Sequence, residues 1–249
     1  MSSDSTLLEG YTSIMACLKA DSREIYKILI DEKLPSKKPK ALRPLKTKSE
    51  KKGIPIEYVN SEILESMATG KTHGGVIALC GERKFISLSS LLEKAEKGYL
   101  VYLDGIEDPF NFGQAIRTIY ASGADGILLP MRNWMSASAT VARASAGASE
   151  LIPASVISVE DISQIKEKGY KIICSDLTDD AVDHTEADLR FPLLLIVGGE
   201  KRGISASVSC LSDATVKISY GREFNQALGA AEAASILAFE IHRQNKKQL

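Results

Sequence analysis

Short apolar runs alternate with amphipathic segments from residue 99 to the end of the chain. Apolar runs predict buried strands, whereas apolar positions three and four residues apart predict helices. The predicted strands are 99–103, 126–130, 152–157, 170–174, 193–197 and 216–219, and the predicted helices are 113–122, 136–147, 160–168 and 227–243. Because strands alternate with helices, we expect a mostly parallel sheet that is covered on both faces and binds ligands at the carboxyl ends of its strands.

The first third of the chain has a less regular pattern. The predicted helices are 7–19, 61–69 and 87–97, and the predicted strands are 25–30, 54–59 and 76–80. We therefore predict an α/β protein with a small α/β domain at residues 1–82, a linker helix within 83–98 and a larger domain at 99–249.

A basic segment interrupts the small domain, with nine lysines and arginines between Asp31 and Gly53. Its three prolines predict that no long helix forms here. The segment is either a solvated loop or a mobile arm that contacts RNA phosphates without reading sequence. The absence of aromatic residues argues against a base-stacking platform. The candidate RNA contacts are Lys37, Lys38, Lys40, Arg43 and Lys46.

Composition and charge narrow the classes of protein. The net charge of −1 excludes a uniformly basic nucleic-acid coat but allows a local basic patch. No apolar stretch is as long as a membrane span, and the N-terminus lacks the features of a signal peptide, so we expect a cytoplasmic protein. The four cysteines form no Cys-x-x-Cys pair and the three histidines are far apart, so we expect reduced, buried thiols and no metal.

The first candidate site is the turn between the predicted strand 99–103 and the predicted helix 113–122. This turn is rich in Asp, Pro, Asn and Gly. One interpretation is an ordinary strand–helix loop in which Asn111 caps the helix. Arg117 does not fit that interpretation, because it lies about one turn into the predicted helix, where the helix dipole disfavours a cation. A cation there favours an anionic partner such as an RNA phosphate.

The second candidate site is the glycine-rich loop after the apolar run 193–197. It contains Gly198, Gly199, Gly203 and one carboxylate, Glu200. Glycines allow the backbone to approach a ligand closely. The alternative is a glycine-rich helix entry with a solvated Glu200. The position at the carboxyl end of a predicted parallel strand favours ligand binding, although the loop matches neither a dinucleotide fingerprint nor a P-loop.

Together these motifs resemble the SpoU (TrmH-like) family of RNA ribose 2′-O-methyltransferases, within the SPOUT superfamily. The first site resembles the family's Asp-Pro-x-Asn-x-Gly motif followed by Arg, and the second resembles its Gly-x-Glu-x-x-Gly loop. The matching positions are Asn111, Gly113, Arg117, Gly198, Glu200 and Gly203. Segment 144–148, followed by Pro153, is similar to a further family motif, and Glu9-Gly10 and 73–76 are similar to the ends of the substrate-binding domain that precedes many members.

The resemblance implies a C-terminal trefoil knot, S-adenosylmethionine as cofactor, and a homodimer with active sites at the subunit interface. It implies that Arg117 acts at the ribose hydroxyl, with Asn111 and Glu200 beside it. The cofactor-binding residues it implies are Gly198, Gly199, Gly203, Ile218 and Leu228. Ribosomal RNA is expected as the substrate over transfer RNA, because the preceding small domain is commoner in the rRNA-directed members.

The start of the last helix departs from the family pattern Ser-Leu-Asn-x-Ser. Here Ala227, Gly229 and Ala231 stand at the polar positions, and the loop 218–228 is slightly longer than usual. A non-catalytic RNA-binding homologue, or one with altered specificity, therefore remains an alternative to the enzyme. A nucleotide-binding α/β enzyme of another kind is a weaker alternative, since phosphate-binding fingerprints are missing.

Overall fold

The computed structural model describes residues 6–37, 39–70, 72–95 and 98–246, except for the side chains of Lys37 and Pro39. Over these residues the chain forms two compact units. The first comprises Met1–Lys84 together with Trp134–Leu151, and the second comprises Phe85–Asn133 together with Ile152–Leu249. The first unit therefore includes a segment that is distant in sequence.

Four strands of the first unit form a mixed sheet. They are β1 (Thr6–Glu9), β2 (Ile25–Asp31), β3 (Ile56–Val59) and β4 (Val76–Cys80), in the order β1-β4-β2-β3. Strand β4 is antiparallel to both of its neighbours, and β2 and β3 are parallel. The accompanying helices are α1 (Tyr11–Ala20), α2 (Leu34–Lys37), α3 (Pro39–Lys51) and α4 (Ser61–Met67).

The prediction of one helix over 7–19 is wrong at its start. Residues Thr6–Glu9 pair with β4 instead, and Leu8 lies opposite Ala78 with its side chain fully buried. Gly10 then has a φ of 86°, a conformation that favours glycine, and α1 begins at Tyr11. A two-leucine strand is too short for its alternation to be distinguished from helical spacing, so tertiary pairing determines its structure.

The basic segment is helical, which contradicts the prediction that its prolines prevent a long helix and that it forms a mobile arm. Helix α3 covers Pro39–Lys51 with Pro44 inside it. Leu42 and Leu45, three residues apart, are buried in the core with α1 and β2. Their burial offsets the loss of one helical hydrogen bond at Pro44.

Seven strands of the second unit form an all-parallel sheet. Between β4 and the first of them lies α5 (Leu88–Lys94). The elements are β5 (Tyr99–Asp104), α6 (Pro109–Ala121), β6 (Gly126–Leu129), α7 (Ser138–Ala144), α8 (Ala148–Leu151), β7 (Ala154–Val156), α9 (Glu160–Glu167), β8 (Lys171–Ser175), β9 (Val182–Asp183), β10 (Leu193–Gly198), α10 (Ala206–Ser209), β11 (Ala214–Lys217) and α11 (Ala230–Asn245), of which α7 and α8 belong to the first unit.

The strand order of this sheet is β7-β6-β5-β10-β8-β11-β9, and all six pairings are parallel. In β5 and β10 five successive residues are buried, so the centre of the sheet is covered on both faces. The predicted α/β class and mostly parallel sheet are confirmed, while the trefoil knot stays a prediction. Because β5, β10, β8 and β11 are adjacent and parallel, the loops that follow them open at one edge.

The distant segment joins the first unit through buried polar contacts. It begins with a 3-10 turn at Trp134–Ser136 and continues through α7 and α8. Glu150 is fully buried and accepts hydrogen bonds from Arg23 Nε at 3.0 Å and from Ser22 Oγ at 2.6 Å. Arg143 donates to Glu9 Oε2 at 2.7 Å. The predicted helix 136–147 ends early because Ala146 and Gly147 have φ values of 50° and 83°.

Candidate active site

Helix α6 begins earlier than the sequence pattern predicts. Asp108 is its cap: the Oδ1 atom accepts hydrogen bonds from Phe110 N at 2.9 Å and Asn111 N at 2.8 Å. Pro109 follows as the first helical residue, a position where proline is favoured. The interpretation of Asn111 as the helix cap is therefore wrong. Because Asp108 caps the helix, the Asn111 side chain can form a different contact.

That contact joins the two sequence motifs. Asn111 Nδ2 donates a hydrogen bond to Glu200 Oε1 over 3.1 Å. Asn111 lies in the first turn of α6, and Glu200 lies in the loop after β10. Both side chains reach solvent, so the pair lies at the surface of the site. The hydrogen bond fixes the orientation of the carboxylate, and its second oxygen has no partner among the described residues.

The glycines of the second motif are required by close contact between backbone segments. Gly199 N donates to Asp104 O at 2.9 Å, and Gly203 N donates to Gly199 O at 3.0 Å. A Cβ atom on Gly198 would lie 2.4 Å from Gly203 C, and one on Gly199 would lie 2.1 Å from Gly105 O. No side chain fits at either position, so the loops after β5 and β10 pack directly against each other.

Side chains at the rim hold this pair of loops. Asp104 Oδ2 accepts a hydrogen bond from Ser205 N at 2.9 Å. Lys201 forms an ion pair of 2.7 Å with Glu107, which lowers the pKa of that exposed carboxyl group. These contacts define the conformation of the loop before any ligand binds.

A cavity opens at the carboxyl edge of the sheet. Its volume is about 140 Å³. It brings together all five residues predicted to bind the cofactor, and it includes Glu200. Its lining is Ser175, Asp176, Leu177, Val197, Gly198, Gly199, Glu200, Gly203, Lys217, Ile218, Tyr220, Ala227, Leu228, Ala230 and Ala233.

Sequence reasoning missed four polar residues of this cavity: Ser175, Asp176, Lys217 and Tyr220. Their position in the sequence could have indicated them, because each lies at or just after the carboxyl end of β8 or β11. Tyr220 also closes the loop 218–228, since Leu228 N donates a hydrogen bond to its hydroxyl oxygen at 3.1 Å. The loop carries no regular secondary structure, so its contacts could not be predicted from periodicity.

Arg117 is exposed on α6 and is not among the residues that line the cavity. Because the helix begins at Pro109, Arg117 lies beyond its second turn. The argument that a cation there opposes the helix dipole is therefore wrong. Its guanidinium group forms no ion pair or hydrogen bond with the parts of the chain that the structure describes, so it is available to a ligand.

The basic candidates lie in the first unit. Lys38 and the side chain of Lys37 lie outside the described residues. Lys40 and Arg43 are exposed on α3. Lys46 Nζ lies 5.2 Å from the centre of the Tyr58 ring, a cation–π contact. Tyr58 comes from the edge strand β3 and is 45% exposed.

None of the four cysteines is among the residues that line the cavity. Cys174 precedes Ser175 on β8, and burial raises the pKa of its thiol to about 11. Burial likewise raises the pKa of Cys80 to about 11 and that of Cys17 above its usual value. All four are free, and three are buried as predicted, whereas Cys210 is exposed.

The described residues hold neither a candidate metal site nor a candidate membrane-spanning helix. Over 6–37, 39–70, 72–95 and 98–246, no group of three or more His, Cys, Asp or Glu side chains could hold a metal ion. No helix in the described part of the chain combines the length and apolar character needed to cross a membrane.

Comparison with known proteins identifies the family. Residues 98–239 match the SpoU rRNA Methylase family, and residues 7–85 match the model for RNA 2′-O ribose methyltransferase substrate binding. YacO of Bacillus subtilis (strain 168), named within the TrmH family of tRNA/rRNA methyltransferases, is 31% identical over 250 residues, which is 98% of each chain. A TrmH family relative from Staphylococcus aureus (strain COL) is 32% identical over 88% of this chain and 89% of its own.

Solved structures share the fold. The AdoMet-bound rRNA methyltransferase from Sinorhizobium meliloti has a TM-score of 0.80 and 22% identity, over 97% of this chain and 88% of that chain. The SpoU methyltransferase AviRb from Streptomyces viridochromogenes has a TM-score of 0.80 and 22% identity, over 98% and 91%. The predicted family is confirmed: this chain belongs to the SpoU (TrmH) family of RNA 2′-O ribose methyltransferases.

Proposed function

We propose that the protein transfers a methyl group from S-adenosylmethionine to a ribose 2′-hydroxyl of ribosomal RNA, in the cytoplasm. The observation that carries this proposal is the cavity at the carboxyl ends of the adjacent parallel strands β10, β8 and β11. It is lined by the Gly198–Gly203 motif, whose Glu200 is hydrogen-bonded to Asn111 of the other family motif. The AdoMet-bound structure from Sinorhizobium meliloti supports the choice of cofactor and of rRNA. Transfer RNA is the alternative substrate, as the name of YacO includes both.

The residues that line the cavity suit the chemistry of this cofactor. Apolar side chains of Leu177, Val197, Ile218 and Leu228 offer a surface for an adenine ring. Gly198 and Gly199 line the same cavity, and their lack of side chains lets the loop that carries them pack tightly against neighbouring backbone. The sulfonium supplies an activated methyl group when the cofactor is bound. The protein then has to align the ribose oxygen with that methyl group and accommodate one proton.

Arg117, Asn111 and Glu200 are the residues we assign to the reacting ribose. An arginine is a poor base, because its pKa lies above roughly 12. We assign Arg117 instead to a forked contact that orients the ribose and a neighbouring phosphate, with the proton passing to phosphate or water. Glu200 lines the cavity and is oriented by Asn111 at 3.1 Å. The pair therefore connects the acceptor side of the site with the cofactor side.

We assign RNA binding to the small domain at residues 1–82, with 83–98 as linker and 99–249 as the catalytic domain. Exposed cations on α3, Lys40 and Arg43, are suited to phosphates, and Lys37 and Lys38 belong to the same proposed set. Lys46 lies over Tyr58, which places an exposed aromatic ring beside the basic helix. Such a ring can stack on a base, so we assign both phosphate contacts and base stacking to this surface.

A homodimer completes the proposal. Helices α6 and α11 pack against each other and expose large apolar side chains: Tyr120 is 37% exposed, Ile236 37% and Phe239 49%. Clustered exposed apolar side chains mark association surfaces. Replacement Phe239→Glu should shift the protein from dimer to monomer in analytical ultracentrifugation. An unchanged sedimentation coefficient would argue against this face.

A non-catalytic RNA-binding homologue is the second candidate. It is favoured by one observation: Ala227, Gly229 and Ala231 stand where the family pattern has Ser, Asn and Ser, and Ala231 is buried. Calorimetry with S-adenosylmethionine separates the two candidates, because the enzyme requires a cofactor site. Heat of binding at a single site supports the enzyme.

Methylation mapping of total RNA, from cells with and without the protein, tests the proposed function. We expect one ribose methylation in ribosomal RNA to disappear with the protein and to return with the wild-type chain. A lost position in transfer RNA would correct the substrate, and an unchanged map would contradict the enzyme.

A further inference from the structure

The loop 218–228 has features that the cofactor pocket alone does not explain. Its ends line the cavity through Ile218, Tyr220, Ala227 and Leu228, whereas its tip, residues 221–226, is exposed. The tip therefore lies on the outer side of the cavity wall. This exposed tip, directly connected to residues that line the cavity, is accessible to a large substrate such as RNA.

The loop is held in shape by Tyr220. The hydroxyl oxygen of Tyr220 accepts a hydrogen bond from Leu228 N, across eight residues. The ring of Tyr220 lies 5.9 Å from the ring of Phe224, with their planes tilted by 57°. Tyr220 thus contacts the cavity and supports Phe224 on its outer side. Phe224 remains 56% exposed, in a tip whose other residues are polar or small.

We propose that Phe224 stacks on a base of the RNA, at or next to the nucleotide whose ribose is methylated, and so positions the acceptor. The proposal rests on the proposed function. Ala227, Gly229 and Ala231 have no polar side-chain groups with which to position the substrate. The proposal gives that role to the loop instead. Unpaired bases are commonly recognised by stacking on aromatic side chains. Arg222, exposed two residues earlier, is a cation suited to the adjoining phosphate.

Three variants of Phe224 separate stacking from packing. Phe224→Tyr keeps an aromatic face, Phe224→Leu keeps an apolar side chain without one, and Phe224→Ala removes both. Methyl transfer is measured with labelled S-adenosylmethionine on total RNA from cells that lack the protein. We expect the Ala and Leu variants to raise the KM for RNA roughly tenfold, because base–aromatic stacking is worth about that much. The Tyr variant should stay within about twofold of wild type.

Cofactor affinity and a matched aromatic are the controls. The dissociation constant of S-adenosylmethionine should be unchanged in all three variants, and Phe85→Ala, at a ring that is 40% exposed elsewhere in the second unit, should leave the KM unchanged. A wild-type KM in the Leu variant would show that Phe224 contributes only apolar packing and does not stack on a base. Weakened cofactor binding with an unchanged KM would make it a cofactor cap, and altered self-association alone would make it a protein contact. Each of these outcomes overturns the proposal.

A binding measurement keeps the test independent of catalysis. Fluorescence anisotropy with a single-stranded oligoadenylate 12-mer measures RNA affinity even when the wild-type protein transfers no methyl group. We expect Phe224→Ala to weaken this binding about fivefold, and equal affinities for both proteins overturn the proposal. Absence of methyl transfer by the wild-type protein contradicts the proposed function instead, so the two failures are distinguishable.

Discussion

The hydrogen bond between Asn111 and Glu200 joins the two motifs from which the family was predicted. Its length is 3.1 Å, and neither residue could be assigned this partner from the sequence, which separates them by 89 positions. The contact depends on Asp108, because that residue caps α6 and releases the Asn111 side chain. At the scale of single residues, the contact between the two motifs therefore depends on which residue caps α6.

Replacement Arg117→Ala should abolish methyl transfer and leave the affinity for S-adenosylmethionine nearly unchanged. Arg117 is exposed and does not line the cavity, so its loss should remove the proposed contact to RNA and none to the cofactor. A forked contact made in the transition state lowers kcat when it is removed. Single-turnover methylation and calorimetry measure the two quantities separately.

Arg190→Ala is the matched control for Arg117. Arg190 is an exposed arginine of the same unit, paired with Asp188 rather than available to a ligand. Its replacement should leave both turnover and cofactor affinity unchanged. Undiminished turnover in the Arg117 variant would remove Arg117 from the mechanism.

At the scale of elements, the packing of the glycine-rich loop can be tested by adding a side chain where the structure leaves no room for one. In Gly199→Ala the new Cβ atom would meet Gly105 O at 2.1 Å, so the loops after β5 and β10 must move apart. We expect cofactor affinity to fall roughly tenfold, a loss of about 1.4 kcal/mol in binding free energy, because the loop after β10 lines the cavity. Calorimetry measures this change.

Gly221→Ala is the control for the glycine loop. No atom lies within 4 Å of a Cβ at this position, and Gly221 does not line the cavity. Its cofactor affinity should match that of wild type. Equal affinities for both alanine variants would show that the loop contact does not shape the cofactor site.

Helix α3 gives a prediction about the salt dependence of RNA binding. Lys40 and Arg43 are exposed on its surface. Replacing both by Gln should weaken the binding of a mixed-sequence single-stranded RNA uniformly. It should also reduce the slope of log K against log salt by about 1.4, since each phosphate contact contributes about 0.7 for single strands. Lys94→Gln on α5, also exposed, should leave the slope unchanged.

The sequence predicted the regular elements better than the irregular ones, for physical reasons. β4 at Val76–Cys80 and β10 at Leu193–Gly198 are dense apolar runs, and their burial leaves few alternatives. Helix α3 was missed because proline propensity opposes it locally, while the burial of Leu42 and Leu45 favours it only in the folded unit. The cavity residue Tyr220 was missed because its hydrogen bond to Leu228 depends on a loop conformation that no periodicity encodes.

At the scale of the whole molecule, the first unit is discontinuous in sequence. Trp134–Leu151 follows β6 and precedes β7 along the chain, yet it packs with Met1–Lys84. Its contacts include a buried ion pair, because the side chains of Arg23 and Glu150 are 1% and 0% exposed. Ser22 donates a further hydrogen bond to the Glu150 carboxylate. The first unit is therefore incomplete without this segment.

Replacement Glu150→Gln should destabilise the first unit by about 3–5 kcal/mol, because it leaves the charge of Arg23 buried without its partner. Trp134 is the one tryptophan of the chain and lies in the distant segment, so denaturant unfolding followed by tryptophan fluorescence reports on this unit. The control is Glu57→Gln, which breaks the exposed pair with Lys27 and should cost less than about 1 kcal/mol. If both variants unfold at the wild-type denaturant concentration, the buried pair does not hold Trp134–Leu151 in the first unit. If only Glu150→Gln unfolds early, a fragment of residues 1–84 should remain unfolded in circular dichroism, because it lacks Glu150 altogether.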